Sequence, residues 1–381
     1  MDSTYFFLDP NSISDWRTST LIFYIFIICI TYILVRTSKK IYKIKFLNKY
    51  FSLNIGYVLA SFILIVVKCF SVTGKDTRTV YYYNFLSASS LSSYKDQSAE
   101  FGFRLLSVLI HNIFGSYAAF LFIIGLLTVV PVLWLIWKYR KVIDRSSAII
   151  LYTCIFYFTG FSALRFALAA STVLIGFDAF YEKKWFKAFL FMTLACLIHQ
   201  TMVIMFLPIL ITFKRKSPKL FMSISLIFMF ILLVVSRNQI SVLLSDSDSR
   251  YSLYQVSEGI DFGWEQIVYY IPFFGFYYLS SYEDRNNRWG ILSFNFLATG
   301  FVVSNLGYII SILGRMEYSF TPLILIVPFY IKRITDRRPD LRYLVDILMI
   351  IYCIARFMIY ICQYYSSSAM MPYISVFGWS I

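Results

Sequence analysis

The sequence predicts an all-α protein, a polytopic membrane bundle of about 12 segments in one transmembrane domain spanning residues 1–381, and three observations carry that expectation. Hydrophobic residues make up 59% of the chain and charged residues 14%, whereas a soluble domain carries about 25% charged residues. Apolar runs long enough to cross a hydrocarbon core of roughly 30 Å recur from end to end. The connections between them alternate between basic and acidic, the pattern of a chain threaded repeatedly through a membrane. In lipid every backbone polar group needs an internal partner, so helices are the solution. A β-barrel would instead show short alternating segments.

Spans are expected near 19–35, 52–72, 117–137, 146–163, 165–181, 186–198, 200–213, 219–236, 265–280, 290–312, 317–331 and 343–362. The stretch Met1–Asp15 holds Asp2, Asp9 and Asp15 and no basic leader, so the first apolar run is expected to remain as a span. Arg36, Lys39, Lys40, Lys43, Lys45 and Lys49 follow it; Lys138, Arg140, Lys141 and Arg145 follow the third. Further basic connections hold Lys183, Lys184 and Lys187, then Lys214, Arg215, Lys216 and Lys219, then Arg285 and Arg288, and finally Lys332, Arg333, Arg337, Arg338 and Arg342. The positive-inside rule makes these cytoplasmic and both termini external. The net charge of +15 is thus an orientation signal, and a nucleic-acid partner is excluded. Both flanks of 187–214 are basic, which requires two short helices of the re-entrant kind turning back near His199.

Two extracytoplasmic loops are long, 73–116 and 237–264, and long loops in compact proteins are often lids or binding elements. In the first, Phe103, Leu106, Leu109, Ile110 and Ile113 recur at helical spacing, predicting an amphipathic helix in the membrane interface. The second is polar and acidic; its Asp246-x-Asp248 lacks the glycine and the terminal glutamate of a calcium loop. The six cysteines sit in or beside apolar runs without a CxxC pair, so they read as small packing residues with no disulfide or zinc framework. No metal and no cofactor is expected.

Polar groups at membrane depth are expensive and persist mainly at polar cavities or ligands. Arg165 in Leu164-Arg165-Phe166, His199 in Ile198-His199-Gln200 and Arg315 in Gly314-Arg315-Met316 reach the same outer level. Each also has a bland reading: a snorkelling arginine at a helix start, a packed histidine at a helix break, and an ion pair with Glu317. Lys68 and Arg356, near the outer ends of apolar runs, either line a cavity or snorkel. Asp178 reads as a helix-end ion pair on the cytoplasmic side, and His111 as an interfacial surface residue.

With these residues in view, the chain resembles the EpsG family of bacterial polysaccharide-biosynthesis proteins, related in role to the Wzy polymerases. The likeness rests on Gly74-Lys75-Asp76-Thr77 with Tyr81 downstream, on Glu100-Phe101-Gly102-Phe103-Arg104-Leu105-Leu106 without the family's proline, and on Leu164-Arg165-Phe166-Ala167 with His199-Gln200-Thr201. Gly314-Arg315, Tyr318, Phe320, Pro328 and Met371-Pro372-Tyr373 continue it.

The resemblance implies a membrane glycosyltransferase that joins undecaprenyl-pyrophosphate-linked repeat units into exopolysaccharide, capsule or O-antigen at the outer face of the bacterial cytoplasmic membrane. A chain-length regulator and a flippase are partners it implies. Such a reaction needs cations for the leaving pyrophosphate, a base for the acceptor hydroxyl, and an apolar groove for the polyprenyl chain. Arg165 and Arg315 suit the first role, with Tyr81 and Arg104 completing the expected pyrophosphate- and sugar-binding set. His199 is a base or a phosphate donor; Asp76 or Glu100 is a base or a sugar-hydroxyl acceptor. Three other readings share these features: a polyprenyl-dependent ligase or glycosyltransferase, a flippase of lipid-linked oligosaccharide, and a non-catalytic scaffold.

Overall fold

A computed structural model describes residues 16–46, 49–214, 218–235, 263–308 and 315–381. Nearly all of loop 237–264, including Asp246 and Asp248, lies outside the described residues, as do Leu313 and Gly314; of Arg315 and Glu317 only the backbone is described.

The regular structure is overwhelmingly helical, as an apolar chain in lipid requires. In order come α1 (Thr18–Thr37), α2 (Ile55–Cys69), α3 (Lys75–Arg78), α4 (Val80–Leu86), α5 (Phe101–Phe114), α6 (Tyr117–Lys138), α7 (Arg145–Leu151) and α8 (Leu164–Tyr181). There follow α9 (Trp185–Ile198), α10 (Phe206–Lys214), α11 (Pro218–Val235), α12 (Trp264–Leu279), α13 (Tyr282–Asn286), α14 (Arg288–Leu306), α15 (Leu323–Arg337) and α16 (Arg342–Tyr364). Among the described residues, five helices are long and apolar enough to cross a membrane: Thr18–Thr37, Tyr117–Lys138, Leu164–Tyr181, Arg288–Leu306 and Pro339–Tyr364.

Two departures from the expected all-α pattern bear on the architecture. The basic connection after α1 folds into an antiparallel hairpin, β1 (Tyr42–Phe46) with β2 (Lys49–Leu53), paired from Tyr42 with Leu53 to Phe46 with Lys49. Asn54 closes it, donating to the carbonyls of Ser38 and Lys40 while capping α2 by accepting from Tyr57 N at 2.9 Å. The expected span at 146–163 is also not one regular helix. After α7 it widens into a π-helical stretch, Tyr152–Tyr157, and tightens into a 3₁₀ turn, Phe158–Phe161. Irregular backbone at this depth is tolerated because all ten of these residues are buried in protein.

The helix ends segregate by chemistry. At one end Lys138 Nζ of α6 meets Asp178 Oδ1 of α8 at 2.5 Å, and the Tyr139 hydroxyl donates to the same oxygen at 2.8 Å. Asp178 is thus a helix-end ion pair as expected, but its partner comes from α6 rather than from the adjacent Lys183-Lys184. Arg337 Nη2 of α15 reaches Asp284 Oδ2 of α13 at 2.7 Å, and Arg36 of α1 pairs with Asp346 of α16. The opposite ends of α8, α12, α14 and α16 surround a cavity.

The expected turn-back near His199 is present. At about 1.5 Å per residue, the 14 residues of α9 cover roughly 21 Å, short of a full crossing. His199 is extended (φ −153°), a 3₁₀ turn Gln200–Met205 follows, and α10 leads back. Thr212 of α10 accepts from Asn295 Nδ2 of α14 at 2.8 Å. The amphipathic helix expected at Phe103–Phe114 is α5, with Phe103 and Ile110 buried and Leu109 and Ile113 exposed.

Candidate functional site

The cavity encloses about 870 Å³ at the end of the bundle away from the basic connections. Its walls bring together residues far apart in sequence, among them Lys75, Asp76, Tyr81, Arg165, His199 and Arg356.

Glu100 organises the first wall from behind. It is the residue before α5, extended (φ −61°, ψ 142°), with its side chain only 7% exposed. Oε2 receives Arg165 Nη1 at 3.1 Å; Oε1 receives His199 Nδ1 at 2.9 Å and Gln200 N at 3.3 Å. Asp96 Oδ2 lies 3.8 Å from the same Arg165 nitrogen. Burial alone would raise the Glu100 carboxyl, but the His199 hydrogen bond and the charges of His199 and Arg165 bring it down to about 2. Glu100 is therefore ionised at neutral pH. An ionised carboxylate only accepts, so Nδ1 of His199 carries the proton. In the neutral tautomer that this hydrogen bond selects, the lone pair is on Nε2, the arrangement in which a carboxylate orients a histidine as a base.

The local sequence explains how Glu100 reaches a histidine 99 positions away. A Cβ on Gly102 would stand 2.8 Å from the Leu197 carbonyl oxygen and 2.9 Å from its carbon, so only glycine lets the first turn of α5 press against the end of α9. Phe103 is fully buried beside Tyr81, ring centroids 5.6 Å apart, and seats that turn. Arg165 occupies the second position of α8, its Cζ 5.9 Å from both the Tyr81 and Phe103 rings, and its backbone N–H points to the Tyr81 hydroxyl at 3.5 Å. The Phe166 ring meets His199 edge-on at 5.5 Å.

The Gly74-Lys75-Asp76-Thr77 segment supports the same wall. Gly74 has φ +105°, and a Cβ there would lie 2.4 Å from the Phe161 carbonyl oxygen, so the position demands glycine on two counts. Thr77 Oγ1 donates to that same carbonyl at 2.5 Å. From α2, Lys68 Nζ donates to Gly160 O at 2.5 Å and lies 4.6 Å from the Phe161 ring centroid. Lys68 therefore neither snorkels nor lines the large cavity; it holds the turn from which Arg165 projects. On the other side Lys75 N donates to Ser368 O at 2.8 Å, and Ile374 N donates to Thr73 Oγ1 at 2.9 Å. The Met371-Pro372-Tyr373 motif is a structural pin in this region: Tyr373 OH donates to Val67 O at 3.1 Å, and Tyr24 OH to Met370 O at 2.7 Å.

The expected site residues thus divide. Arg165, His199, Asp76 and Tyr81 line the cavity. Glu100 does not line it; both its oxygens are engaged by the residues that do. Arg104 does not join them. It lies one position beyond the buried Phe103, about 100° around the helix, and its Nη1 donates to Gln97 Oε1 at 2.6 Å within the loop. Arg315 opens a 3₁₀ turn, Arg315–Ser319, of which Met316 and Tyr318 line the cavity. His111 packs edge-on against Phe85 at 5.0 Å and lies away from the cavity. Arg356, which sequence leaves undecided, lines the cavity, its Cζ 3.4 Å from the Tyr269 ring centroid.

This is a helical membrane protein with a polar cavity between the ends of its helices, held by a buried carboxylate, a histidine and an arginine. The chain belongs to the EpsG family, whose model matches residues 54–375 and so takes in the whole of that cavity. Membership supports a polymerase-like role in polysaccharide biosynthesis. No curated protein and no solved structure matches the chain.

Proposed function

We propose that this protein is a polymerase that joins undecaprenyl-pyrophosphate-linked oligosaccharide repeat units at the outer face of the bacterial cytoplasmic membrane. The observation that carries the proposal is Glu100 holding His199 and Arg165 side by side, with both of those side chains lining one large cavity. The alternation of basic connections supports an outward-facing cavity end, in a proposed topology of about 12 segments with 187–214 as the turned-back pair.

In the proposed reaction the hydroxyl oxygen of an acceptor sugar attacks the anomeric carbon of a donor glycan. The new C–O bond forms as the bond to the pyrophosphate breaks, with inversion at that carbon. His199 Nε2 takes the hydroxyl proton, and Glu100 stabilises the imidazolium so formed. The electron pair leaves with the polyprenyl pyrophosphate, whose growing charge meets the Arg165 guanidinium and the Lys75 ammonium. A guanidinium suits this because it stays charged and presents a planar donor fork to phosphate oxygens. Asp76, on the same wall, is suited to accept from a sugar hydroxyl.

The test is purified protein in liposomes with lipid-linked repeat unit, scored for polymer and for released polyprenyl pyrophosphate. Both should appear together and both should fail in Arg165→Ala and His199→Ala. Polymer without released polyprenyl pyrophosphate refutes the reaction. Translocation of the lipid-linked glycan without elongation makes the protein a flippase instead.

A further inference from the structure

A second wall of the cavity takes no part in that chemistry. It is built from the first two turns of α12, the outer part of α16, and the end of α14 with the turn that follows it. Arg356 of α16 is buried, with its Cζ 3.4 Å from the ring centroid of Tyr269 of α12. Gln266 stands three positions before Tyr269, on the same helix face, and Glu265 accepts from the Tyr308 hydroxyl at 3.1 Å. All five side chains line the cavity.

The chemistry of this wall differs from that of the Arg165 wall. Gln266 is buried, and its Oε1 has no hydrogen-bond partner. Across the cavity lining, on the turn after His199, Thr201 Oγ1 is likewise buried without one. Native proteins seldom leave such groups unsatisfied, and a ligand is one reason they do. A carbonyl oxygen needs a donor, which an ionised phosphate does not offer. Sugar hydroxyls both donate and accept, so those of one ring can satisfy the Gln266 carbonyl and take hydrogen bonds from the guanidinium edge of Arg356. The Tyr269 and Tyr308 rings add amphipathic surfaces of the kind on which one apolar and one polar face of a ligand can rest.

We propose that the α12–α16 wall is a carbohydrate subsite in which Gln266, Arg356 and Tyr269 bind a pyranose ring of the lipid-linked repeat unit. The inference rests on the polymerase reading for the identity of the glycan, but not for its binding. The amide of Gln266 turns toward the cavity to accept from a ring hydroxyl, and Arg356, held in place by its contact with the Tyr269 ring, donates from its edge. Sugar identity is read here, while the pyrophosphate lies at Arg165.

Two lipids test this: the lipid-linked repeat unit extracted from cells of the same strain lacking this protein, and undecaprenyl pyrophosphate without sugar. Affinity for each is measured on detergent-purified wild type, Gln266→Ala and Arg356→Lys, with thermal melting confirming that each variant is folded. The wild type should bind the sugar-bearing lipid at least tenfold more tightly than the bare one. Gln266→Ala should lose most of that preference while its affinity for the bare lipid stays within about twofold, and Arg356→Lys, which keeps the charge but loses the planar guanidinium, should do the same. In elongation assays KM should rise about tenfold with kcat nearly unchanged, as expected when ground-state and transition-state binding fall equally. Equal wild-type affinity for the two lipids overturns the subsite, as do folded variants that keep the preference, or variants that weaken both lipids alike. A sugar preference that vanishes in the variants, in a protein that never elongates, upholds the subsite and refutes the polymerase.

Discussion

Two groups of buried carboxylates, at opposite ends of the bundle, are sheltered to the same degree and surrounded differently. Asp178 and Asp284 keep 6% and 7% of their side chains exposed at the basic end, and Glu100 keeps 7% at the cavity end. The partners of the first two, Lys138, Arg333 and Arg337, tie helix to helix and lie outside the cavity lining. The partners of Glu100, Arg165 and His199, line about 870 Å³ of space. Burial of an ion pair is therefore not what marks a site in this protein. What sets Glu100 apart is that its partners also face a cavity.

Substitution at each end separates the two roles. The largest effect is expected for His199→Ala, which removes the proposed base and should lower kcat by roughly 10²–10⁴. Arg165→Ala should cost about 10²–10³, the scale for losing one donor to developing transition-state charge. Loss of less than tenfold in both, measured as polymer per minute on folded protein, would make the cavity-end trio as structural as its counterpart.

Glu100→Gln comes next, because it leaves His199 and Arg165 in place but removes the charge that orients them. Activity should fall less than in His199→Ala, and the stability profile should change with pH. With its carboxyl at about 2 in the folded protein and 4.5 as its ordinary value, Glu100 contributes stability that is fully present above about 4.5. That contribution is lost as pH falls from there through about 2, where the folded carboxyl protonates. Melting of wild type and Glu100→Gln should differ at pH 6 and converge towards pH 2; curves that stay parallel throughout would disconnect the carboxylate from its partners.

Gly102→Ala should act through geometry, since the added methyl meets backbone atoms of Leu197 that have no rotamer to escape into. A cost of about 1–3 kcal/mol in stability is expected from such overpacking, with activity falling as Glu100 is carried away from His199. The smallest effect on turnover is expected from Asp284→Asn at the basic end. It should lower the melting temperature by leaving Arg333 and Arg337 without their charge partner, yet leave kcat within about twofold.

Much of this site is legible in the sequence, and the reason differs from residue to residue. Arg165 and His199 stand out because charge is costly inside apolar runs, and the basic flanks of 187–214 require the chain to turn at His199. Gly102 and Gly74 are visible as motif glycines, but what they approach is not, because contacts between α5 and α9 or between residues 74 and 161 are tertiary. For the same reason Glu100 reads as a loop carboxylate with a choice of roles until its two partners are seen. Arg104 misleads because it shares a motif with Glu100, whereas helix geometry turns it to another face. Arg356 and Gln266 carry weak signals: one is an arginine near a helix end, the other an unremarkable amide in a first turn. The π and 3₁₀ stretch at 152–161 leaves no trace in hydropathy, since every one of its residues is buried whichever helix type it adopts.

The segment after α16 has a consequence for biogenesis. Ser367 and Ser368 form part of the cavity wall, Ile374 is bonded to Thr73, and Ile381 O accepts from Thr20 Oγ1 at the start of α1. During synthesis the early helices enter the bilayer long before these residues leave the ribosome. A nascent chain thus presents an unfinished chamber until the segment after α16 docks against residues 73–75.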